Sequence, residues 1–213
     1  MGRRPTLLLW INDPYFLGLI KNHNYLYNHC MPQYRRSILA GGTFFFTIVT
    51  FNRKPILTDE RTRDLLHEAW IDTKNRFPFK TEAVCLLSDH LHCIWSLPEN
   101  DTNYSVRIKE IKRLFTKAYL QLIGPGELRN ESHIKKGEAA IWQRRFWEHV
   151  IRDQDDFHRH VDYIHYNPVK HGLVKKVVDW QWSTFHQYVK MGVYDQDWGG
   201  ENDDKFANLK VGE

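Results

Sequence analysis

The stretch Cys85-Leu-Leu-Ser-Asp-His-Leu-His-Cys-Ile-Trp95 determines how the neighbouring segments are interpreted. It is apolar on both sides of Ser88-Asp89, and these two residue types favour turns. The stretch therefore predicts two strands, over residues 83–87 and 90–97, that are joined as a hairpin. Pro98 follows directly and ends the second strand, because proline cannot donate to a ladder of strand hydrogen bonds.

The second of these strands carries two histidines in an otherwise apolar sequence. Because side chains alternate across a strand, His90 and His92 project from one face and Leu91 from the other. Polar rings inside an apolar strand need a partner, and two imidazoles at this separation can share one metal ion. The alternative interpretation is a pair of solvated histidines without a ligand.

The segments before and after this hairpin predict a known order of strands and helices. Residues 43–50 are rich in β-branched and aromatic side chains and predict a buried strand, and a helix is predicted from Thr58-Asp59-Glu60 to Phe77-Pro78. An amphipathic helix over 102–122, a strand near the end of 141–151 and a helix from Asp153 follow. The sequence thus predicts an α+β protein with the ferredoxin-like split βαβ arrangement and an antiparallel sheet.

Composition indicates one main domain. The chain has 213 residues, of which 42% are hydrophobic and 14% aromatic, which excludes a disordered or fibrous protein. Its three cysteines include no CxxC pair, and no apolar run reaches the roughly 18 residues of a membrane span. We therefore expect a cytoplasmic protein. We divide it into an N-terminal extension (1–33), a main domain (34–190) and a flexible tail (191–213).

Charge favours a polyanionic partner without requiring one. The net charge is +4 and the isoelectric point is about 8.9. The helix over 102–122 has a basic face, which we predict to contact the phosphates of such a partner: Lys109, Lys112, Arg113 and Lys117. The alternative is a solvated helix face. Arg144, Arg145 and Trp142 can contact a nucleic acid through charge or by stacking on an unpaired base, although Trp142 is more typical of a core residue.

The helix that begins after Asp153 carries further polar residues on one side: Asp156, His160, Tyr163 and Asn167. Tyr163 and Asn167 are one turn apart, beside an apolar stripe that packs into the core. On helix geometry alone, the favoured interpretation is a tyrosine packed at the edge of the core and an asparagine that ends the helix before Pro168. Tyr166 competes for any role given to a tyrosine.

Three separated motifs, in order, resemble those of one protein family. His90-Leu-His92 matches the HUH signature (His, hydrophobic, His), and Tyr163-Ile-His-Tyr-Asn167 matches the signature of single-tyrosine HUH transposases. The strings Trp142-Gln-Arg-Arg-Phe-Trp-Glu-His149 and Asp162-Tyr-Ile-His-Tyr-Asn-Pro-Val-Lys-His-Gly172 are similar to those of the REP-associated tyrosine transposases. The resemblance covers about 34–190. Asn167 stands where insertion-sequence relatives have glutamine.

This resemblance implies a chemistry and a substrate. A Mg²⁺ or Mn²⁺ ion would be held by His90, His92 and Asn167, and Tyr163 would attack a DNA phosphate to give a 5′-phosphotyrosine. The implied substrate is single-stranded DNA with a REP-type hairpin, which Lys170 also helps to bind. We expect a nucleoid-associated enzyme that is a monomer rather than a dimer.

Two other functions remain open from the sequence. A hairpin-binding regulator could descend from such an enzyme and lack activity, although intact histidines and tyrosine argue against it. A structural zinc site could use His90 and His92 with Cys85 or Cys93. Cys93 is a poor partner for His92, because adjacent strand residues face opposite ways.

Overall fold

The structure is a computed structural model that describes residues 39–124, 134–135 and 139–200. The predicted N-terminal extension, 1–33, lies outside these residues. Within them the main elements, in chain order, are β1 (Thr43–Val49), α1 (Glu60–Arg76), β2 (Lys80–Leu86), β3 (His90–Ser96), α2 (Tyr104–Ile123), β4 (Trp147–Val150), α3 (Gln154–Lys170) and α4 (Phe185–Lys190).

The four strands form one antiparallel sheet in the order β2-β3-β1-β4. β1 and β2, which flank α1 in the sequence, are separated by β3, so the predicted split βαβ arrangement is confirmed. The histidine-bearing strand β3 is central, as expected. In its register with β1, His92 is opposite Thr47 and His90 is opposite Val49.

The two faces of the sheet carry different layers. Phe44, Phe46 and Ile48 of β1 belong to a core that includes apolar residues of α1 and α2. Phe45 points the other way and packs with residues of α3. Burying a phenylalanine stabilises the fold by roughly 1.5–3 kcal/mol, so both layers are held firmly. Since His92 contacts Phe45, the histidine pair lies on the α3 side of the sheet.

Two boundaries differ from the sequence-based prediction. β2 begins at Lys80 rather than at 83, because an irregularity between Thr81 and Ala83 interrupts the alternation of side chains. α3 continues through Pro168 to Lys170 instead of ending before the proline. A proline this close to the helix end removes one hydrogen bond, and Gly172, at φ 66°, then turns the chain.

The described part of the C-terminal segment packs onto the domain. The ring of Tyr194 lies 5.5 Å from that of Phe185, and its hydroxyl donates to the Asp162 carboxylate. Trp198 stacks near Tyr194, with ring centroids 4.4 Å apart. The described residues of the predicted tail therefore pack on the domain as far as Trp198. No helix among the described residues is both long enough and apolar enough to cross a membrane.

Candidate active site

His90 and His92 are adjacent and buried on β3, with ring centroids 4.9 Å apart. Each ring is held through its Nδ1 atom. Nδ1 of His90 lies 2.6 Å from Oδ1 of Asp89, and Nδ1 of His92 lies 3.0 Å from Oγ1 of Thr47. Because Nδ1 is engaged in both rings, Nε2 is the atom left for a ligand. In His92 this atom is buried and has no hydrogen-bond partner within residues 39–124, 134–135 and 139–200.

Electrostatics favour the neutral form of His92. Burial lowers the pKa of His92 well below its usual value, and His90, His171 and nearby cations lower it further. His92 is therefore neutral near pH 7, which is the form that binds a metal. Burial acts to raise the pKa of Asp89, but its bonds and charge interactions with His90 and Arg53 hold it below the ordinary value.

α3 brings a tyrosine to these histidines. The helix begins where the Asp153 carboxylate accepts a hydrogen bond from the Asp156 backbone N–H, at 2.7 Å. Two turns on, the Tyr163 ring lies edge-on to His92, with centroids 5.2 Å apart. Nζ of Lys170 sits 4.6 Å from the centre of the tyrosine ring. The sequence-predicted nucleophile, histidine and lysine are thus brought together.

Asn167 lies between two contacts of α3 with the histidines. One turn before it, the Tyr163 ring contacts His92. One turn after it, the His171 ring contacts that of His90, with ring centroids 5.3 Å apart. Asn167 is fully buried, and neither its Oδ1 nor its Nδ2 has a hydrogen-bond partner among the residues that the structure describes. An unsatisfied buried amide costs about 1–3 kcal/mol, so a ligand for it is expected. Two imidazole nitrogens and a carboxamide oxygen are a donor set that fits Mn²⁺ or Mg²⁺.

Tyr166, the competing tyrosine, packs elsewhere. A Cβ atom added at Gly199 would lie 3.3 Å from Cδ2 of Tyr166, so the ring borders the C-terminal segment. It shares α3 with Tyr163 and lies about 60° from it around the helix axis. The ring of Tyr163 contacts a site histidine, His92.

The predicted basic face of α2 lies on the other layer of the sheet. Lys109 and Lys117 are exposed there, whereas Arg113 is paired with Glu110 at 2.7 Å. Lys112 donates to the Gln143 carbonyl at 2.9 Å, and burial lowers its pKa to about 8. The predicted phosphate-binding residues of α2 are therefore separate from the histidine and tyrosine site.

The predicted DNA-binding residues in the segment before β4 differ in their exposure. The Trp142 ring is partly buried and packs against Phe115 at the edge of the core, with centroids 5.1 Å apart. Arg144 and Arg145 are exposed. Arg145 lines a cleft beside Thr47, which places it on the side of the sheet that carries the histidines.

Sequence reasoning missed a second cluster, a candidate His/Asp metal site. His149, Asp156 and His160 place one ligand atom each within 4.8 Å of one another. His149 Nε2 is 2.9 Å from Asp156 Oδ2. Asp156 and His160 were visible as one side of the helix, but the pairing of β4 with β1 that adds His149 was not. The Phe45 ring separates this cluster from the other histidines, at 5.0 Å from His160 and 5.5 Å from His92.

A split βαβ sheet with a histidine pair on its central strand and a tyrosine helix packed on it defines the class of the protein. A family model described as transposase IS200-like matches residues 40–167, and the chain belongs to this family. The REP-associated tyrosine transposases are its relatives within the family, as the resemblance implied.

Two such relatives and one solved structure give the extent of the similarity. The chain is 49% identical over 176 residues to a REP-associated tyrosine transposase of Haemophilus influenzae, across 81% of this chain and 96% of the relative. It is 44% identical over 181 residues to that of Escherichia coli K12, across 85% and 99%. The structure of a REP-associated tyrosine transposase bound to a REP hairpin matches with a TM-score of 0.67 and 45% identity, covering 80% of this chain and 92% of that one.

Proposed function

We propose that this protein is a metal-dependent endonuclease and strand transferase that nicks and rejoins single-stranded DNA at REP-type hairpins. The observation that carries the proposal is the contact of the Tyr163 ring with His92, beside the carboxamide of Asn167, which has no hydrogen-bond partner within the described part of the chain. The proposed nucleophile and the three proposed metal ligands come from two elements that pack on each other, β3 and α3. Because all of them come from one chain, the site does not need a second subunit, which supports a monomer.

His90, His92 and Asn167 would hold the divalent ion, Mg²⁺ or Mn²⁺. When bound, the ion supplies positive charge that stabilises the phosphoryl oxygens as negative charge develops on them. The chain contributes the orientation of the ligands. Asp89 and Thr47 fix the two rings, and α3 fixes the carboxamide.

Tyr163 is the proposed nucleophile. Its phenolic oxygen forms a bond to the phosphorus while the bond from phosphorus to the 3′ oxygen breaks. The phenol proton leaves to solvent, and the departing 3′ oxygen takes up a proton. The products are a 5′-phosphotyrosine and a free 3′-hydroxyl. Since one phosphodiester replaces another, a second 3′-hydroxyl can reverse the step and join strands without ATP.

Two groups of basic residues would hold the DNA. Lys170, over the Tyr163 ring, is placed to contact phosphates next to the reacting one. The exposed lysines of α2, Lys109 and Lys117, would contact the hairpin from the other layer. A hairpin substrate is supported by the similar protein whose structure was solved with a REP hairpin.

The experiment is an adduct assay with a labelled REP-type hairpin oligonucleotide and Mn²⁺, followed by a denaturing gel. We expect the unmodified protein and Tyr166→Phe to give a protein-bound DNA fragment, and Tyr163→Phe to give none. Hairpin binding without any adduct in the unmodified protein would support the inactive regulator instead. Tightly bound zinc without cleavage under any metal would support the structural zinc site.

A further inference from the structure

We infer that Arg53 binds a phosphate of the DNA strand next to the reacting one, an inference that rests on the proposed function. Arg53 follows β1 and reaches the histidine pair through Asp89. One oxygen of this carboxylate lies 2.6 Å from Nδ1 of His90, and the other lies 3.2 Å from Nη1 of Arg53. The guanidinium is thus one carboxylate away from a proposed metal ligand, and its charge also acts to lower the pKa of His92.

The backbone holds Arg53 in a conformation that arginine rarely adopts. Asn52 and Arg53 are consecutive residues at positive φ, 52° and 50°, and the Lys54 N–H donates to the Phe51 carbonyl at 3.2 Å. A turn whose two central residues both have positive φ favours the pair Asn-Gly, because glycine has no Cβ atom to clash with the backbone. A side chain that is kept at such a strained position beside a site is expected to serve that site.

The guanidinium of Arg53 is open to a ligand although it is ion-paired. The side chain is 57% exposed, and ion pairs at exposed positions contribute little to stability. A guanidinium has five N–H donors in a planar fork that matches a phosphate, and the contact with Asp89 is made through Nη1. A phosphate can therefore bind to Arg53 while Asp89 continues to hold His90.

The position of Arg53 indicates which phosphate it contacts. Tyr163 contacts the histidine pair at His92. Arg53 lies instead at the His90 end of the pair, where Asp89 joins the two side chains. The attacking and leaving oxygens of phosphoryl transfer lie roughly in line, so the 3′ oxygen departs on the side away from the tyrosine. Arg53 is therefore assigned to a phosphate of the departing strand, on the 5′ side of the cleaved bond.

The test measures binding without chemistry and removes one phosphate charge at a time. Tyr163→Phe protein with Mn²⁺ is titrated with REP-type hairpin oligonucleotides that each carry one methylphosphonate linkage, and affinity is read by fluorescence anisotropy. We expect one phosphate on the 5′ side of the cleavage site to be coupled with Arg53. At that position the neutral linkage should weaken binding about tenfold, whereas it should have little further effect once Arg53→Gln is added to the Tyr163→Phe protein.

Two further variants separate phosphate binding from a role in the turn. Arg61→Gln removes an exposed arginine of α1, on the other layer of the sheet, and should leave every methylphosphonate penalty in place. Arg53→Gly should weaken DNA binding as much as Arg53→Gln does, and it should raise the urea midpoint of unfolding because glycine suits the turn better. A lowered midpoint with unchanged DNA affinity would show that Arg53 serves the turn alone and would overturn the inference.

The outcomes also separate this inference from the proposed function. Absence of any phosphate coupled with Arg53, or a coupled phosphate on the 3′ side, would overturn the inference. A role only through Asp89 would lower Mn²⁺ affinity in Arg53→Gln and would single out no phosphate. Coupling at one phosphate, together with no covalent adduct from the unmodified protein, would remove the proposed function and keep the phosphate contact. Adduct formation with no coupled phosphate would do the opposite.

Discussion

Asp89 holds the imidazole of His90 through a 2.6 Å hydrogen bond between Oδ1 and Nδ1. The other carboxylate oxygen pairs with Arg53 at 3.2 Å. The backbone carbonyl of Asp89 accepts from both the backbone N–H and the hydroxyl of Thr50, each at 2.8 Å. The turn before β3 is thereby tied to the end of β1. This connection fixes the direction of Nε2 of His90, the proposed ligand atom.

Replacing this carboxylate should weaken metal binding. Asp89→Asn keeps the shape of the side chain but removes the charge that orients and polarises His90, and such changes typically cost 10–100-fold in metal affinity. Titration with Mn²⁺, followed by electron paramagnetic resonance, measures the effect. Arg53→Gln, which leaves the Asp89 to His90 bond in place, is the control and should change affinity much less. An unchanged affinity in Asp89→Asn would mean that His90 is not a ligand.

The two candidate metal sites can be told apart by mutation. The His149 and His160 rings are nearly parallel, at 14°, so lone pairs in their ring planes do not converge on one point. Nδ1 of His160 also donates to the Asp156 carbonyl at 2.7 Å. We therefore expect His92→Gln to abolish Mn²⁺ binding and His149→Gln to preserve it. Calorimetric titration of both variants checks this. The reverse pattern would show that the ion binds at the cluster of His149, Asp156 and His160.

Replacing Lys170 should affect both DNA binding and adduct formation, whereas replacing a lysine of α2 should affect binding alone. Removing one phosphate contact reduces the slope of log affinity against log salt by about 1, so Lys170→Met and Lys117→Met should both reduce it. Only Lys170→Met should also slow adduct formation at saturating DNA, because Lys117 lies on the opposite layer. Binding at several salt concentrations and single-turnover gels measure the two effects. An unchanged slope in Lys117→Met would identify the α2 face as a solvated surface.

Asp156 should stabilise the fold in a pH-dependent manner. Burial acts to raise its pKa, but hydrogen bonds from His149 and the Arg152 backbone N–H hold it below the ordinary value of 3.8. The folded state therefore binds fewer protons than the unfolded state. This contribution is complete above the unfolded-state pKa and is lost as the pH falls through the lower folded-state pKa.

Asp156→Asn should accordingly lower the free energy of unfolding by about 1–3 kcal/mol near pH 7, since a buried partner is left unsatisfied. The difference from the unmodified protein should shrink as the pH falls below the ordinary carboxyl pKa. Urea denaturation at a series of pH values gives both quantities. Asp155→Asn, an exposed neighbour, is the control. A difference that stays constant down to the lowest pH would show that the charge of Asp156 is not involved.

The spacing of apolar residues predicted most of the fold, because it reports which side of each strand or helix is buried. The alternation around His90 and the helical stripe after Asp153 both indicated the elements that form. Two features depended on long-range contacts instead. The start of β2 at Lys80 depends on an irregular pairing with β3, and the extension of α3 through Pro168 depends on packing that offsets one lost hydrogen bond.

In the site, too, local spacing could be read from the sequence and long-range packing could not. The motif spacing indicated His90, His92, Tyr163 and Asn167 as site residues, and the structure brings the rings of His92 and Tyr163 into contact. Sequence could not show that Trp142 packs against Phe115 while Trp147 packs against Phe45 on the other face of the sheet, because both lie in one aromatic string and only the pairing with β1 separates them. It also could not show that α2 lies across the sheet from the tyrosine.

The central claim is that the phenolic oxygen of Tyr163 forms the covalent link to DNA. Trypsin digestion of the trapped adduct yields the peptide 160–170, which contains both Tyr163 and Tyr166. Fragmentation of this peptide by tandem mass spectrometry locates the attached nucleotide. The account predicts a nucleotide on Tyr163 and none on Tyr166. A nucleotide on Tyr166, or on a residue outside this peptide, would contradict it.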